Sequence, residues 1–292
     1  MGYRRMLVAL AAGLAMLAAA PLATAPEALA QSRWATQGVR IATEGAYAPW
    51  NFSKPGGGLD GFEIDLANDL CRRMNVRCTV VAQDWDGIIP SLNAGRYDAI
   101  MAGMNITARR QEVISFTRVY AAGPGGFGVD KRSPLANLAG LNTRFNLETQ
   151  PAESKAAIDA LRAAVRGRTI GVQVSTTHAN FLNEYFKDVA TIREYRTTEQ
   201  HDLDLQNGRI DAIWAAHSAL TATFAQPGFE GFAIAGPGFS GGVLGAGVAV
   251  GLRKADDELR AMFDTAIAAA LADGTIKTLS MKWFKVDLSP LQ

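Results

Sequence analysis

One phrase occurs twice in this chain, about 110 residues apart. Ala94-Gly95-Arg96-Tyr97-Asp98-Ala99-Ile100-Met101-Ala102 returns as Asn207-Gly208-Arg209-Ile210-Asp211-Ala212-Ile213-Trp214-Ala215. Each copy follows a helical run, Ile88 to Leu92 and His201 to Leu205, and reads as helix stop, turn and buried strand. A looser pair precedes them: Val39 to Thr43 and Thr169 to Gln173 are both short strands leading into polar loops. Repeats every 20–50 residues would mean a solenoid, whereas one duplication at this spacing implies two similar α/β lobes. Two lobes make a cleft, and clefts between lobes take ligands.

The ends and the composition narrow the class. Arg4 and Arg5, the apolar Ala-rich run Leu7 to Leu22 and the small residues at Ala28 and Ala30 read as a secretory signal peptide over residues 1–30. No Cys follows the apolar run, which argues against a lipid anchor. The remaining chain of about 260 residues suffices for two lobes of ordinary size. A formal net charge of +1 gives no electrostatic case for nucleic acid. The two cysteines, Cys71 and Cys78, lie in the exported part. An oxidising compartment permits a bridge between the end of an amphipathic helix and the next strand, with two buried thiols as the alternative. The histidines, His178, His201 and His217, are far away in sequence, which disfavours a metal site.

Catalytic signatures are missing: the chain has no G-x-S-x-G, P-loop, H-E-x-x-H or C-x-x-C. The run Gly123 to Gly128 contains G-x-G-G-x-G, but no helix start follows it. A binding module therefore outranks an enzyme, and no cofactor is expected. The strand ends carry the candidate ligand groups. After Val39 to Thr43 come Glu44, Tyr47 and Trp50, a carboxylate beside aromatic rings that suits a cation. Trp85 is a candidate second wall. After Asp98 to Ala102 come Gly103, Asn105 and Thr107, then Arg109 and Arg110, either of which could grip a carboxylate. The strand ending at Gln173 and Val174 leads into Ser175-Thr176-Thr177-His178, a hydroxyl-rich helix start suited to an anion.

In order, these landmarks resemble the bacterial extracellular solute-binding proteins, family 3, the periplasmic receptors of polar amino-acid and opine ABC importers. The resemblance rests on Gly61-Phe62-Glu63-Ile64-Asp65-Leu66, Tyr47-Ala48-Pro49, Asp84-Trp85-Asp86-Gly87, Asn105-Ile106-Thr107-Ala108-Arg109-Arg110, Ser175-Thr176-Thr177 and Gly251-Leu252-Arg253-Lys254. It implies an α/β, two-lobe periplasmic-binding-protein fold with two hinge crossovers. Lobe 1 would span 38–123 and 246–292, lobe 2 would span 124–245, and the crossover strands would lie near Gly123 to Val129 and Val243 to Val250. It also implies a Cys71–Cys78 disulfide like that of the basic amino-acid receptors. Glu44 would contact a cationic side chain, with Tyr47 and Trp85 stacking on it. Arg110, rather than Arg109, would bind the ligand carboxylate, with Thr177 as its second contact.

Two departures shape the expected ligand. The family usually carries serines where this chain has Ala102 and Asn105, and an Asp for the ligand α-amino group where it has Ala216. A neutral site there, with His217 or Ser218 as donors, suits an arginine-derived opine whose α-nitrogen bears a carboxyalkyl group. The segment Asn142 to Gly167 is also longer than in the basic amino-acid receptors and holds an extra helix, Pro151 to Arg166. The expected ligand shell is Glu44, Tyr47, Trp50, Trp85, Ala102, Gly103, Asn105, Arg110, Gln173, Ser175, Thr176, Thr177, Ala216 and His217, on a monomer that docks with a membrane ABC permease. An exported enzyme of the cyclohexadienyl-dehydratase kind and a ligand-sensing partner of a membrane receptor are the alternatives.

Overall fold

Short apolar runs punctuated by glycine turns become strands of two separate sheets, as a computed structural model describing residues 32–290 shows. The expected signal peptide lies outside the described residues. The chain enters through α1 (Arg33–Gln37) and β1 (Val39–Thr43), then makes a small antiparallel sheet of β2 (Ala46–Tyr47), β3 (Asn51–Ser53) and β4 (Leu59–Asp60). Next come α2 (Phe62–Met74), β5 (Cys78–Ala82), α3 (Ile88–Asn93), β6 (Ala99–Ile100), α4 (Ala108–Gln111) and β7 (Ser115–Ala121). The second half holds β8 (Gly125–Asp130), β9 (Arg144–Asn146), α5 (Pro151–Ala164), β10 (Thr169–Gln173), α6 (Thr177–Tyr185), β11 (Thr191–Tyr195), α7 (Thr198–Gln206), β12 (Ala212–Ala216), α8 (His217–Phe224) and β13 (Phe232–Ser240). The chain then returns with β14 (Val248–Leu252), α9 (Asp257–Ala272) and α10 (Thr275–Phe284).

The first sheet has the order β5-β1-β6-β14-β7 and the second β11-β10-β12-β8-β13-β9. The repeated phrase occupies the same place in both. In lobe 1, β6 pairs in parallel with β1, Ile41 opposite Ala99; in lobe 2, β12 pairs in parallel with β10, Ile170 opposite Ala212. The repeated Asp pins each pairing: Asp98 Oδ2 accepts from the Arg40 N–H at 3.0 Å, and Asp211 Oδ2 accepts from the Thr169 N–H at 2.8 Å. Each sheet buries its own core, the first around Ile41, Phe62, Leu66, Phe263 and Ile267, the second around Phe127, Phe181, Trp214 and Phe239.

Local chemistry explains the elements that frame the cleft. Helix α2 buries Phe62, Leu66, Ala67, Leu70 and Cys71 along one stripe, carries Glu63 and Asp65 in its first turn and Arg72 and Arg73 in its last, and stops at Asn75 in the left-handed conformation. The Cys71–Cys78 disulfide is formed and ties that helix end to β5. The extra helix appears as α5, with Pro151 in its first turn and Gly167, at φ +72°, beyond its end. β8 and β14 lie wholly inside their sheets, so the passages between sheets are the short segments 122–124 and 241–247 that precede them.

Candidate functional site

The C-terminal ends of β1 and β6 face those of β10 and β12, the place where open α/β sheets gather ligand groups. The cleft there encloses about 600 Å³, within the range of small-molecule sites. Its walls include Glu44, Tyr47, Trp50, Trp85, Ala102, Gly103, Asn105 and Arg110 from lobe 1, and Gln173, Thr176, Thr177, His178, Ala216 and Ser218 from lobe 2. A further part is built by Asn146 and Glu148 of the long segment, together with Ser240, Gly241 and Leu244.

At one end stands Glu44, 8% exposed, where burial pushes its carboxyl up to about 7 although a hydrogen bond from Gln173 opposes the shift. Gln173 Nε2 donates across the cleft to Glu44 Oε1 at 2.6 Å, and to the Arg196 carbonyl at 3.1 Å. Among the other hydrogen bonds that join the lobes, two come from indole rings. The Trp50 indole N–H donates to Ser218 Oγ at 3.2 Å, and the Trp85 indole N–H donates to the Ser175 carbonyl at 3.2 Å.

At another wall lies Arg110. Thr107 caps α4 by accepting from the Arg110 N–H at 3.2 Å, which fixes where the side chain starts. The guanidinium donates to the Asn105 carbonyl at 2.9 Å and lies over the Trp85 ring, 5.2 Å from its centroid. Burial lowers it to about 10, and no carboxylate of the described residues pairs with it. A cation so placed calls for an anion. Across the cleft from it, α6 begins: Thr176 Oγ1 accepts from the Ala179 N–H at 3.0 Å, leaving the Thr177 hydroxyl outside the cap.

His178 joins this anion-favouring wall; the sequence placed it in the helix start suited to an anion but left it out of the expected ligand shell. Its Nδ1 accepts from the Trp214 indole N–H at 3.1 Å. An indole nitrogen only donates, so the neutral ring carries its proton on Nε2 and offers one donor. Burial lowers His178 to about 4, keeping it uncharged. Gly125 makes the pair possible, because a Cβ there would sit 2.8 Å from His178 Cε1. Trp214 belongs to the repeated phrase, but nothing local in sequence joins it to His178. Asn146 and Glu148 were missed as wall residues too; the length of the Asn142 to Gly167 segment was their only signal.

Four expected residues need restating. His217 is not in the cleft. As the first residue of α8 it turns to the opposite side, into a groove with Leu141, Asn142, Arg144 and Phe224, where Gly126 leaves it room. Ser175, at φ +60°, presents its carbonyl rather than its hydroxyl to Trp85. Trp50 is mainly a core ring, 4% exposed against Phe62 and Phe284, and meets the cleft at its edge. Gln173 lines the cleft while bonded to Glu44. Ala216 borders the cleft at the start of α8, whose first turn has no side-chain cap. Asp202 and Asp204, on the neighbouring α7, do not line the cleft: Asp202 accepts from Thr223 Oγ1, and Asp204 accepts from the Tyr195 hydroxyl.

Two α/β lobes joined by two passages, with a cleft of aromatic and ionisable groups between strand ends, define a solute-binding protein. The family model for bacterial extracellular solute-binding proteins, family 3, matches residues 39–286, and the chain belongs to that family. It is similar to the octopine-binding periplasmic protein of Rhizobium meliloti, 50% identical over 94% of this chain and 98% of the relative. It is similar to the histidine-binding periplasmic protein of Salmonella typhimurium, 36% identical over 86% of this chain and 89% of the relative. A solved structure, the periplasmic His/Glu/Gln/Arg/opine family-binding protein of Silicibacter pomeroyi in complex with lysine, is 35% identical with a TM-score of 0.68, covering 87% of this chain and 100% of that one. The chain is a periplasmic binding protein, not an enzyme.

Proposed function

We propose that the cleft captures an arginine-derived opine of the octopine type, in preference to a free basic amino acid, and that the closed form delivers it to a membrane ABC permease. Glu44 holds the guanidinium, with Tyr47 and Trp85 as walls. Arg110, the start of α6 and the His178 Nε2–H hold the arginine carboxylate. The second carboxylate, carried on the α-nitrogen, lies towards α8 and the part of the cleft built by Asn146 and Ser240.

Ala216 is the observation that carries this reading. A free α-ammonium buried beside Ala216 would find no carboxylate on β12 or α8, at a cost of several kcal/mol. An uncapped helix start favours negative charge instead, and Ser218, whose oxygen already accepts from Trp50, keeps its own proton to donate. The octopine-binding relative supports the same choice. Calorimetric titration of arginine and octopine against wild type and Ala216→Asp tests it. Wild type is expected to bind octopine more tightly, and Ala216→Asp to reverse the order by supplying an ammonium partner and repelling the extra carboxylate. Tighter binding of arginine by wild type, or an unmoved ratio in the variant, would replace the opine with a basic amino acid.

A further inference from the structure

Behind the lobe 1 wall lies a carboxylate that does not itself line the cleft. Glu63, on the first turn of α2, is fully buried. Its Oε1 accepts from the Gly103 N–H at 2.7 Å and from the Tyr120 hydroxyl. Its Oε2 accepts from Asn51 Nδ2 at 2.7 Å. Asn51 passes the constraint on, since its Oδ1 accepts from the Gly45 N–H at 2.7 Å. One carboxylate therefore tethers two loops: the one after β1, which carries Glu44, and the one after β6, which carries Ala102 and Gly103.

The loops also meet each other. Gly103 is at φ +61°, and a Cβ there would sit 3.0 Å from Tyr47 Cε1. The Gly103 backbone thus packs directly against the Tyr47 ring. Binding sites whose groups are held in place before the ligand arrives avoid ordering costs on association.

We infer that Glu63 is a positioning residue for ligand capture: through Gly103 directly, and through Asn51 to Gly45, it sets the geometry of the Glu44 and Tyr47 walls. This rests on the cleft being the binding site, not on which solute fills it.

The test compares wild type, Glu63→Gln and a core control, Ile267→Val, at a temperature where all three are folded. Ile267 is fully buried in the same lobe, so the control loses stability without touching either loop. Glu63→Gln replaces an acceptor oxygen by a donor facing donors. Its affinity for octopine and for arginine should fall at least about tenfold, the factor corresponding to one unmade buried hydrogen bond, while Ile267→Val keeps wild-type affinity. In ligand-free protein the Gly103 and Gly45 amide proton resonances should move in Glu63→Gln and stay in place in Ile267→Val. Unchanged affinity and unchanged Gly103 and Gly45 resonances, with only a lowered melting temperature, would make Glu63 merely structural and overturn the inference. If Glu63→Gln does not fold, Asn51→Ala decides: weaker binding with Gly45 shifted supports the relay, and wild-type affinity overturns it. Failure of wild type to bind either solute would count against the proposed ligand, and the resonance comparison would still judge Glu63.

Discussion

The two lobes use the same phrase to begin the same strand, but they invest in it differently. In lobe 1, Asp98 is buried and serves several donors: the Arg40 backbone and side chain, and Arg253, which also pairs with Asp256. In lobe 2, Asp211 keeps the backbone tie to Thr169 and a single ion pair with Arg168, and both side chains reach solvent. Beyond the strands the halves diverge further. β6 runs into a loop that caps α4 and presents Arg110, whereas β12 passes straight into α8 with no side-chain cap. Lobe 1 thus brings Glu44 and Arg110 to the cleft, and lobe 2 faces them with helix starts, neutral donors and Glu148. A duplicated strand entry fixes the architecture, and the residues after it are free to specialise.

The sharpest way to break that division is to remove the anchor. Arg110→Ala should leave a ligand carboxylate without its partner, a loss of about 3 kcal/mol or more, so affinity should fall at least about a hundredfold. Thr177→Val in lobe 2 removes one neutral hydroxyl and should cost about tenfold or less. Titration calorimetry of both variants, with Arg109→Ala as control, ranks them. A larger loss in Thr177→Val would move the anchor to lobe 2.

Stability should divide in the same direction. Asp98→Ala leaves the Arg40 amide without its acceptor and takes one of two carboxylates from Arg253, and should cost about 3 kcal/mol. Asp211→Ala breaks a solvent-reaching pair and should cost about 1 kcal/mol or less. Urea unfolding monitored by circular dichroism measures both, and equal losses would end the distinction. The acid limb carries a second signature. Burial alone would raise Asp98, but the Arg40 and Arg253 hydrogen bonds win and hold it below the usual carboxylate range. Its contribution is present above the unfolded-state value and is lost as pH falls through the folded one, so acid sensitivity should weaken in Asp98→Ala.

The staple belongs to lobe 1 alone. The short loop closed by Cys71 and Cys78 should add roughly 2–3 kcal/mol in the chain-entropy model. Cys71→Ser should lower the melting temperature and leave ligand affinity unchanged, because neither cysteine lines the cleft. Weakened binding in this variant would tie β5 to the site. Thiol titration of the exported protein should find none until it is reduced.

What could be read from sequence follows the range of the physics involved. Glycine stops, strand periodicity and the duplicated Asp are local, so both sheets and the facing strand ends were legible. Glu44, Tyr47, Trp85, Arg110 and Thr177 follow strand or helix ends directly, and all five line the cleft. The role of His178 was not legible, because it depends on Trp214 placing the proton on Nε2, a contact made only by tertiary packing. Glu63 was visible only as part of a helix pattern, since its partners Asn51, Gly103 and Tyr120 come from three separate elements. His217 was misplaced for the converse reason. It follows β12 in sequence, but the start of α8 turns it to the opposite side, where Gly126 and Gly238 offer space.

The lobes also separate by pH. Burial acts on both walls but in opposite senses, raising Glu44 to about 7 and lowering His178 to about 4. Both shifts favour the neutral form, yet only Glu44 titrates in the physiological range. A guanidinium requires ionised Glu44, so below about pH 7 binding must expel a proton, and affinity should fall by up to about tenfold per pH unit. Without ligand the sign is reversed: a raised carboxyl stabilises the fold below its unfolded value, and that contribution is lost as pH rises through the folded one. Ligand affinity should therefore rise between pH 5.5 and 7, flattening above, while this part of the ligand-free stability falls over the same interval. Glu44→Gln should abolish the affinity slope. In His178→Ala the affinity should drop but the slope survive, since a ring that stays neutral contributes a hydrogen bond and no titration. A slope lost with His178 and kept without Glu44 would place the proton in lobe 2 and invert the roles of the two walls.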